Sequence, residues 1–385
     1  MSTQTYDGAN GLVVELFPLR DYEALAQAWL SLERLADSTF FSSWAWTGTW
    51  ISLLPRENWP LVCRVLRAGV PVALAVLGRR CRWRYGLPFR QVVLNASGIE
   101  EYDSIHIEMN QLLALADWQL PAVRALFNAV GGSSPHMGCD ELLMPGLAQG
   151  TQVNQLALES GLWTLSTERP APYVDLDHLR STGREYPSLL HKKGRYAVRR
   201  ALEDYRRTLG EPTLTRAATA AQAEEFLDGL AHLHQVRWNQ KGHPGAFAAA
   251  AFRAFHGALL RNHFTDGCLD LFRVQCGDTV VGFIYTFRDR NAAYGYQFGF
   301  NYRGLPDHNQ PAYLALPMVI EHYAASGART FEFLAGDEHY KQRLGTHRRS
   351  MVWLEAQRPA LRTGLLRLYR KLKRQSIASI LAELL

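Results

Sequence analysis

Three stretches in the second half of the sequence set reactive side chains beside runs that read as helix or strand. In LHQVRWNQKGHPGAF, His234, Arg237 and Trp238 stand at the end of a helical pattern that breaks into a turn at Gly242, Pro244 and Gly245. AAYGYQFGF reads as a strand, and the loop NYRGLPDHNQ leads from it into a helix starting near Pro311. In TFEFLAGDEHYKQRLG a strand stops at a glycine, and Asp337, Glu338, His339, Tyr340 and Lys341 follow without interruption. Such a cluster just beyond a strand's carboxyl end stands where open α/β sheets hold ligands. Carboxylate, imidazole, phenol and amine are also the groups from which proton-transfer chemistry is built. Alternation along Phe331-Glu332-Phe333 turns Glu332 away from both phenylalanines, towards solvent. The sequence has no P-loop, dinucleotide-binding glycine pattern, HExxH, nucleophile elbow or EF-hand loop. His232, His234 and His243 lack a cysteine or carboxylate at ligand spacing, so no metal is expected.

The elements that must position these groups can be read along 385 residues, enough for two domains or one large α/β unit. With 47% apolar and 20% charged residues the chain is neither disordered nor of low complexity. A net charge of +6 is modest for this length, so charge alone indicates no duplex-DNA binder and leaves an anionic substrate open. Five cysteines without a C-x-x-C pair, no basic apolar leader and no membrane-length apolar run point to a reduced, cytoplasmic protein. VVELFPL reads as a strand, and helices are expected over Tyr22 to Leu35 and Trp44 to Leu54. LVCRVLRAG, VPVALAVLGRR, CRWRYG and FRQVVLNA read as an antiparallel meander with breakers between the runs. A helix follows over about Leu120 to Val130, then a strand from Asp140 that stops at Pro145-Gly146.

The second half repeats this order. RAGVPVALAVLGRRCRWRYGLPF aligns with QCGDTVVGFIYTFRDRNAAYGYQF after one insertion, placing Gly69 on Gly277, Val72 on Val280 and Tyr85-Gly86 on Tyr294-Gly295. A shared order of helix, meander, helix and strand points to two copies of one α/β domain. The division expected is residues 1–170, a structural half walling a cleft; 171–358, which carries the reactive cluster; and a basic amphipathic helix over 359–385. ERPAPYVDLDHL, at the junction, reads as a linker or crossing strand. Lys192, Lys193, Arg195, Arg199, Arg200, Arg206 and Arg207 spread around a helix within residues 184–209, either a solvated surface or a phosphate contact. In the C-terminal helix, Leu361, Leu365, Leu368 and Leu372 oppose cations, which suits packing on the body of the protein or peripheral contact with the inner face of a membrane.

L-H-x-x-R-W, then G-x-x-G-x-F, a meander, a Tyr-rich strand, a helix and E-F-x-x-G-D-x-x-Y-K together resemble the CelD-type, or BioF-two-like, acetyltransferase domain of the GNAT superfamily. The resemblance runs over about residues 185–355, and TFFSSWAWTGTW is similar to that family's N-terminal aromatic helix. It implies a fold of two tandem GNAT-like domains akin to the FemABX transferases, each a mixed, mostly antiparallel sheet flanked by helices. It also implies acyl transfer from a thioester, normally acetyl-CoA, to an amine or hydroxyl without a covalent enzyme intermediate. Backbone N–H groups of Tyr294 to Phe300, with Gln297 and Phe298, would polarise the donor carbonyl. The donor pyrophosphate would sit at the helix start His308 to Tyr313, with Asn309, Gln310 and Arg303 as donors. There the sequence departs from the family's glycine-rich loop, having Asp307-His308-Asn309-Gln310-Pro311-Ala312 instead. Tyr340 matches the family's general acid, protonated at neutral pH with an ordinary pKa of about 10. Asp337, Glu332 and His339 compete for the base, while His234, Arg237, Trp238 and Lys341 would hold substrate.

The acceptor implied is an amino sugar or a cell-surface polysaccharide precursor, as in cellulose-like biosynthesis. Two alternatives keep the fold. One is a FemABX-like transferase using aminoacyl-tRNA, the single role in which a nucleic acid would be a partner. The other is a degenerate, non-catalytic subunit of a polysaccharide assembly.

Overall fold

In Leu12–Pro18 every second side chain (Leu12, Val14, Leu16) is buried and its neighbours are half-exposed, the period-two pattern of a strand with one face on the core. Several helices start where a short polar side chain can receive a free N–H. Asp21 accepts from Ala24, Ser43 from Trp46 and Thr219 from Gln222. The computed structural model describes residues 3–7, 11–84, 86–105, 107–131, 138–303 and 310–383, with side chains to residue 372. Tyr85, His308 and Asn309 therefore lie outside the described residues.

The first half comprises β1 (Gln4–Asp7), β2 (Leu12–Pro18), α1 (Tyr22–Glu33), α2 (Trp44–Ser52), β3 (Leu61–Arg67), β4 (Val70–Arg84), β5 (Leu87–Leu94), β6 (Leu113–Ala114), α3 (Gln119–Gly131), β7 (Glu141–Leu147) and α4 (Gly150–Glu159). β8 (Trp163–Asp175) leads into α5 (Leu176–Thr182), α6 (Lys192–Leu209), β9 (Pro212–Arg216), α7 (Ala220–Gln240) and α8 (Ala250–His263). The chain continues through β10 (Leu269–Cys276), β11 (Thr279–Arg288), β12 (Ala292–Phe300), α9 (Pro311–Ala325), β13 (Thr330–Glu332), α10 (His339–Leu344), β14 (His347–Gln357) and α11 (Leu361–Glu383).

The strands form one sheet in the order β1-β2-β3-β4-β5-β7-β14-β8-β13-β12-β11-β10-β9, with β6 beside β4. Each half is an antiparallel meander followed by a helical crossover to a parallel strand. β5 pairs in parallel with β7 at Gln91–Val93, and β12 with β13 at Ala292–Tyr294. The last strand of each half is exchanged. β8 lies against β13, whereas β14, near the far end of the chain, lies against β7. β8 and β14 then pair with each other from Trp163↔Gln357 to Tyr173↔His347, joining the halves into one mixed, mostly antiparallel α/β sheet with helices on both faces.

The aromatic run Phe40, Phe41 and Trp46 is buried against the second half. Phe40 stacks on Phe287 at 4.3 Å, and Trp46 meets Phe255 edge-on at 4.8 Å. These contacts hold the first half over β11 and β12.

Three sequence expectations are corrected. The meander's second and third runs are one 15-residue strand, β4, because Arg79 to Arg84 continue its pairing with β5 beyond Gly78. This length displaces the expected internal alignment: Gly86 lies in the β4–β5 turn, whereas Gly295 lies within β12. Pro145 and Gly146 do not end β7; they occupy an irregularity in its pairing with β14, where no ladder N–H is demanded of proline.

Candidate active site

β12 and β13 part company after three residue pairs, and Gly295 to Phe300 run on without β13 beside them. Opposite β11, the register slips so that Tyr285 pairs with Gln297 and Thr286 with Gly295. Tyr296 is the extra residue, and such a bulge re-aims the backbone around it. Its hydroxyl donates to the Ile105 carbonyl of the first half. A cavity of about 740 Å³ opens on this splayed edge. Gly295, Gln297 and Phe298 line it from β12; His234, Arg237 and Trp238 from α7; and Phe333, Tyr340 and Lys341 from the segment after β13. Ser104 and Glu108 close it from the first half, with Arg169 from β8. α7 can lie this close to β12 because residue 299 is glycine; a Cβ there would overlap the Leu230 backbone carbonyl.

The turn after β13 brings ionisable side chains together in the cavity. Leu334 adopts φ +61°, a conformation that costs a branched side chain and is held here by its surroundings. The Ala335 peptide that follows is gripped from both sides. Its N–H donates to Glu108 Oε2 at 2.6 Å, and its carbonyl accepts from Lys341 Nζ at 2.6 Å. Lys341 is buried, with Glu338 Oε2 at 3.5 Å. Burial pushes the Glu108 carboxyl up to about 7, against the Ala335 N–H and the positive charges of Lys341 and Arg169. Burial, then the negative charge of Glu338, keeps the Tyr340 hydroxyl well above its ordinary value, so it stays protonated. Among the described groups, these two differ most usefully: a carboxyl poised near neutrality and a phenol that keeps its proton.

The loop that presents Glu108 is pinned along its length. Asp103 accepts from the Ser97 N–H at 2.7 Å and the Gly98 N–H at 2.8 Å, and Trp50 Nε1 donates to the Tyr102 carbonyl at 3.1 Å. Asn110 N–H donates to the Gly146 carbonyl at 2.9 Å. On the opposite wall His234 packs edge-on to Phe247 at 5.3 Å, and the Arg237 guanidinium lies over the Tyr302 ring at 4.3 Å.

The other expected residues fall elsewhere. Asp337 and His339 are exposed and do not line the cavity. Glu332, expected to face solvent, is 2% exposed and pairs with Arg349 at 3.0 Å, because β13 lies inside the sheet with both faces covered. Arg303 is exposed outside the cavity, and Asn309 is outside the described residues. Gln310, just before α9, lines a separate hollow of about 250 Å³ with Lys193 and Arg200 of α6 and Arg343 of α10. Three cations converging on a helix start suit a phosphate. Glu108, Ser104 and Arg169 escaped the sequence reading. The signal for Ser104 and Glu108 was the acidic, irregular run IEEYDSIHIE between strands, while Arg169 lies in ERPAPYVDLDHL, the expected linker or crossing strand.

Residues 192–342 match the family model described as the acetyltransferase (GNAT) domain. None of the curated proteins compared matches the chain. Similar folds occur in FemX, with TM-score 0.56 and 11% identity over 88% of this chain and 96% of that one. A conserved protein of unknown function from Bacteroides thetaiotaomicron gives TM-score 0.54 and 12% identity, over 93% and 100% of the two chains. The C-terminal domain of a putative lysylphosphatidylglycerol synthetase from Agrobacterium fabrum gives 0.53 and 10%, over 90% and 95%.

Proposed function

We propose that this acyltransferase, whose residues 192–342 match the GNAT acetyltransferase domain, moves an acetyl group from acetyl-CoA to an amine or hydroxyl of an amino sugar or polysaccharide precursor held in the cavity between the halves. The observation that carries the reading is the Ala335 peptide, clamped between Glu108 and Lys341 beside Tyr340, at the open end of the splayed strands.

In this reading Glu108 takes the proton from the acceptor nitrogen or oxygen as that atom attacks the thioester carbonyl carbon. N–H groups along the free edge of β12, beside the Tyr296 bulge, receive the negative charge that grows on the carbonyl oxygen. The carbon–sulfur bond breaks, and Tyr340 returns a proton to the departing sulfur. Lys341 positions the turn that places Glu108. His234, Arg237 and Trp238 form the acceptor wall, where an aromatic face and a guanidinium suit a sugar. Lys193, Arg200, Gln310 and Arg343 would hold the donor's phosphates. We divide the chain accordingly at about residue 170, with the first half supplying the wall that carries the base. Work at the inner face of a membrane would fit a surface-polysaccharide acceptor.

Isothermal titration with acetyl-CoA and free CoA tests the donor: micromolar binding, weakened by Arg343→Ala, supports the reading, and no binding to either rejects it. One observation favours a second donor. Lys192, Lys193, Arg195 and Arg199 lie exposed along α6 beside the phosphate hollow, a row that an aminoacyl-tRNA could use. Binding of aminoacyl-tRNA in preference to acetyl-CoA would select that alternative.

A further inference from the structure

The helix α11 is docked in reverse. Arg362 donates to the Pro88 carbonyl and to Asp140 Oδ2, both at 3.2 Å, Arg367 to the Thr164 carbonyl at 3.2 Å, and Arg370 to Glu355 Oε2 at 3.1 Å. Thr363 and Leu366 are buried on this same side. Leu361, Leu365, Leu368 and Leu372, a stripe at helical spacing, face outwards and are 83, 50, 54 and 55% exposed. A surface helix ordinarily buries its apolar stripe and wets its arginines. Here the arginines bind the protein and the leucines meet the solvent.

The β4–β5 hairpin extends the same surface. β4 is buried from Val72 to Gly78, after which Arg79 to Arg84 are exposed or half-exposed. Trp83 near the tip is 73% exposed. A groove of about 300 Å³ joins the hairpin to the helix, lined by Leu87 and Phe89 on one side and Leu365, Leu368 and Leu372 on the other. Leu87 and Phe89 thus make one apolar face with the helix, and Trp83, which pairs with Pro88 on the hairpin's other side, stands next to that face near the tip.

Charge identifies its occupant. Residues 79–90 hold five arginines and no acid; residues 361–385 hold six Lys and Arg against one Glu, so the two segments carry a net +10. Counting the carboxylates of Glu100, Asp140, Glu141 and Glu355, with which Arg82, Arg84, Arg362 and Arg370 pair, leaves +6, equal to the net charge of the whole chain. A second copy would bring the same charge against itself, which opposes association. An anionic bilayer supplies what the face lacks: headgroup charge for the cations and an apolar boundary for the leucines and tryptophan. Among the described residues no helix is long and apolar enough to cross a membrane.

We propose that the β4–β5 hairpin and α11 form a composite face that seats the protein peripherally on an anionic lipid bilayer, with Trp83 and the leucine stripe at the headgroup boundary. The face is separate from the cavity, so the proposal stands or falls independently of acyl transfer.

Flotation of the full chain with vesicles tests it. The chain should float with vesicles of phosphatidylcholine containing about 30 mol% phosphatidylglycerol, and should be released by about 0.5 M salt. It should not float with phosphatidylcholine alone. Leu365→Gln/Leu368→Gln/Leu372→Gln and, separately, Trp83→Gln should each lower partitioning by about tenfold. Neutralising Arg82 or Lys371 should cost about fivefold each. All these side chains are exposed, so melting temperature and acetyl-CoA titration should stay at wild-type values. Failure of the wild type to float with anionic vesicles would overturn the proposal, as would flotation unchanged in the leucine triple variant. Dimerisation in sedimentation velocity that the triple variant abolishes, without lipid binding, would assign the face to a second copy instead.

Discussion

A buried carboxyl can take a proton only once it has lost its own, so the environment of Glu108 sets a pH limit. With its carboxyl raised to about 7, kcat/KM for acetyl transfer should climb as pH rises through 7, and Glu108→Gln should flatten that limb. Loss of the base should cost about 10²–10⁴ in kcat, and Tyr340→Phe a similar factor, most visible with a poor leaving thiol. Stability provides an independent check with its own sign. A carboxyl whose folded value is raised binds its proton more tightly in the folded chain, so its contribution is complete below the ordinary 4.5 and is lost as pH climbs to about 7. Glu108→Gln lacks that loss, and its stability relative to wild type should improve between pH 5 and 7, measured by denaturant unfolding. Tyr340 and Lys341 were legible in the sequence because the cluster they belong to is contiguous. Glu108 was not: it meets Ala335 across 227 residues, and a glutamate in an irregular loop has no local mark of that contact.

At the level of elements, the site depends on how closely α7 approaches β12. Gly299→Ala would press a methyl group onto the Leu230 carbonyl; it should destabilise the chain by about 1–3 kcal/mol and displace the His234 wall, raising KM for the acceptor more than it lowers kcat. Arg343→Ala should act on the donor side, weakening acetyl-CoA binding by about tenfold while leaving the pH limb in place. Most helices and strands were readable from period and breakers, and the misreadings share a physical cause. Gly78-Arg79-Arg80 looks like a break because its charges leave the core, yet pairing with β5 carries the strand onward. Pro145-Gly146 looks like a stop, yet an irregular ladder accommodates both residues. Glu332 looks solvent-facing because alternation reports two faces without reporting that neighbouring elements cover both.

Across the whole molecule, exchange of β8 and β14 makes each half incomplete without the other. Truncation before His347 would strip the partner from β7 and from β8 together, and it should abolish cooperative unfolding of the first half as well as the second, seen by hydrogen exchange over β5 and β7. The tandem arrangement could be read from the repeated order of elements. The exchange could not, because pairing Trp163 with Gln357 leaves no trace in the pattern of either strand. It is this exchange, with the shared aromatic core, that sets Glu108 of one half against Ala335 of the other.

The most direct test of that composite site is the pH profile of kcat/KM for thiol release from acetyl-CoA, measured with a panel of amino-sugar acceptors for wild type and Glu108→Gln. The site described here predicts acceptor-dependent release that rises through about pH 7 in the wild type and a low, flat profile in the variant. Equal rates and the same rising limb in both proteins would contradict it.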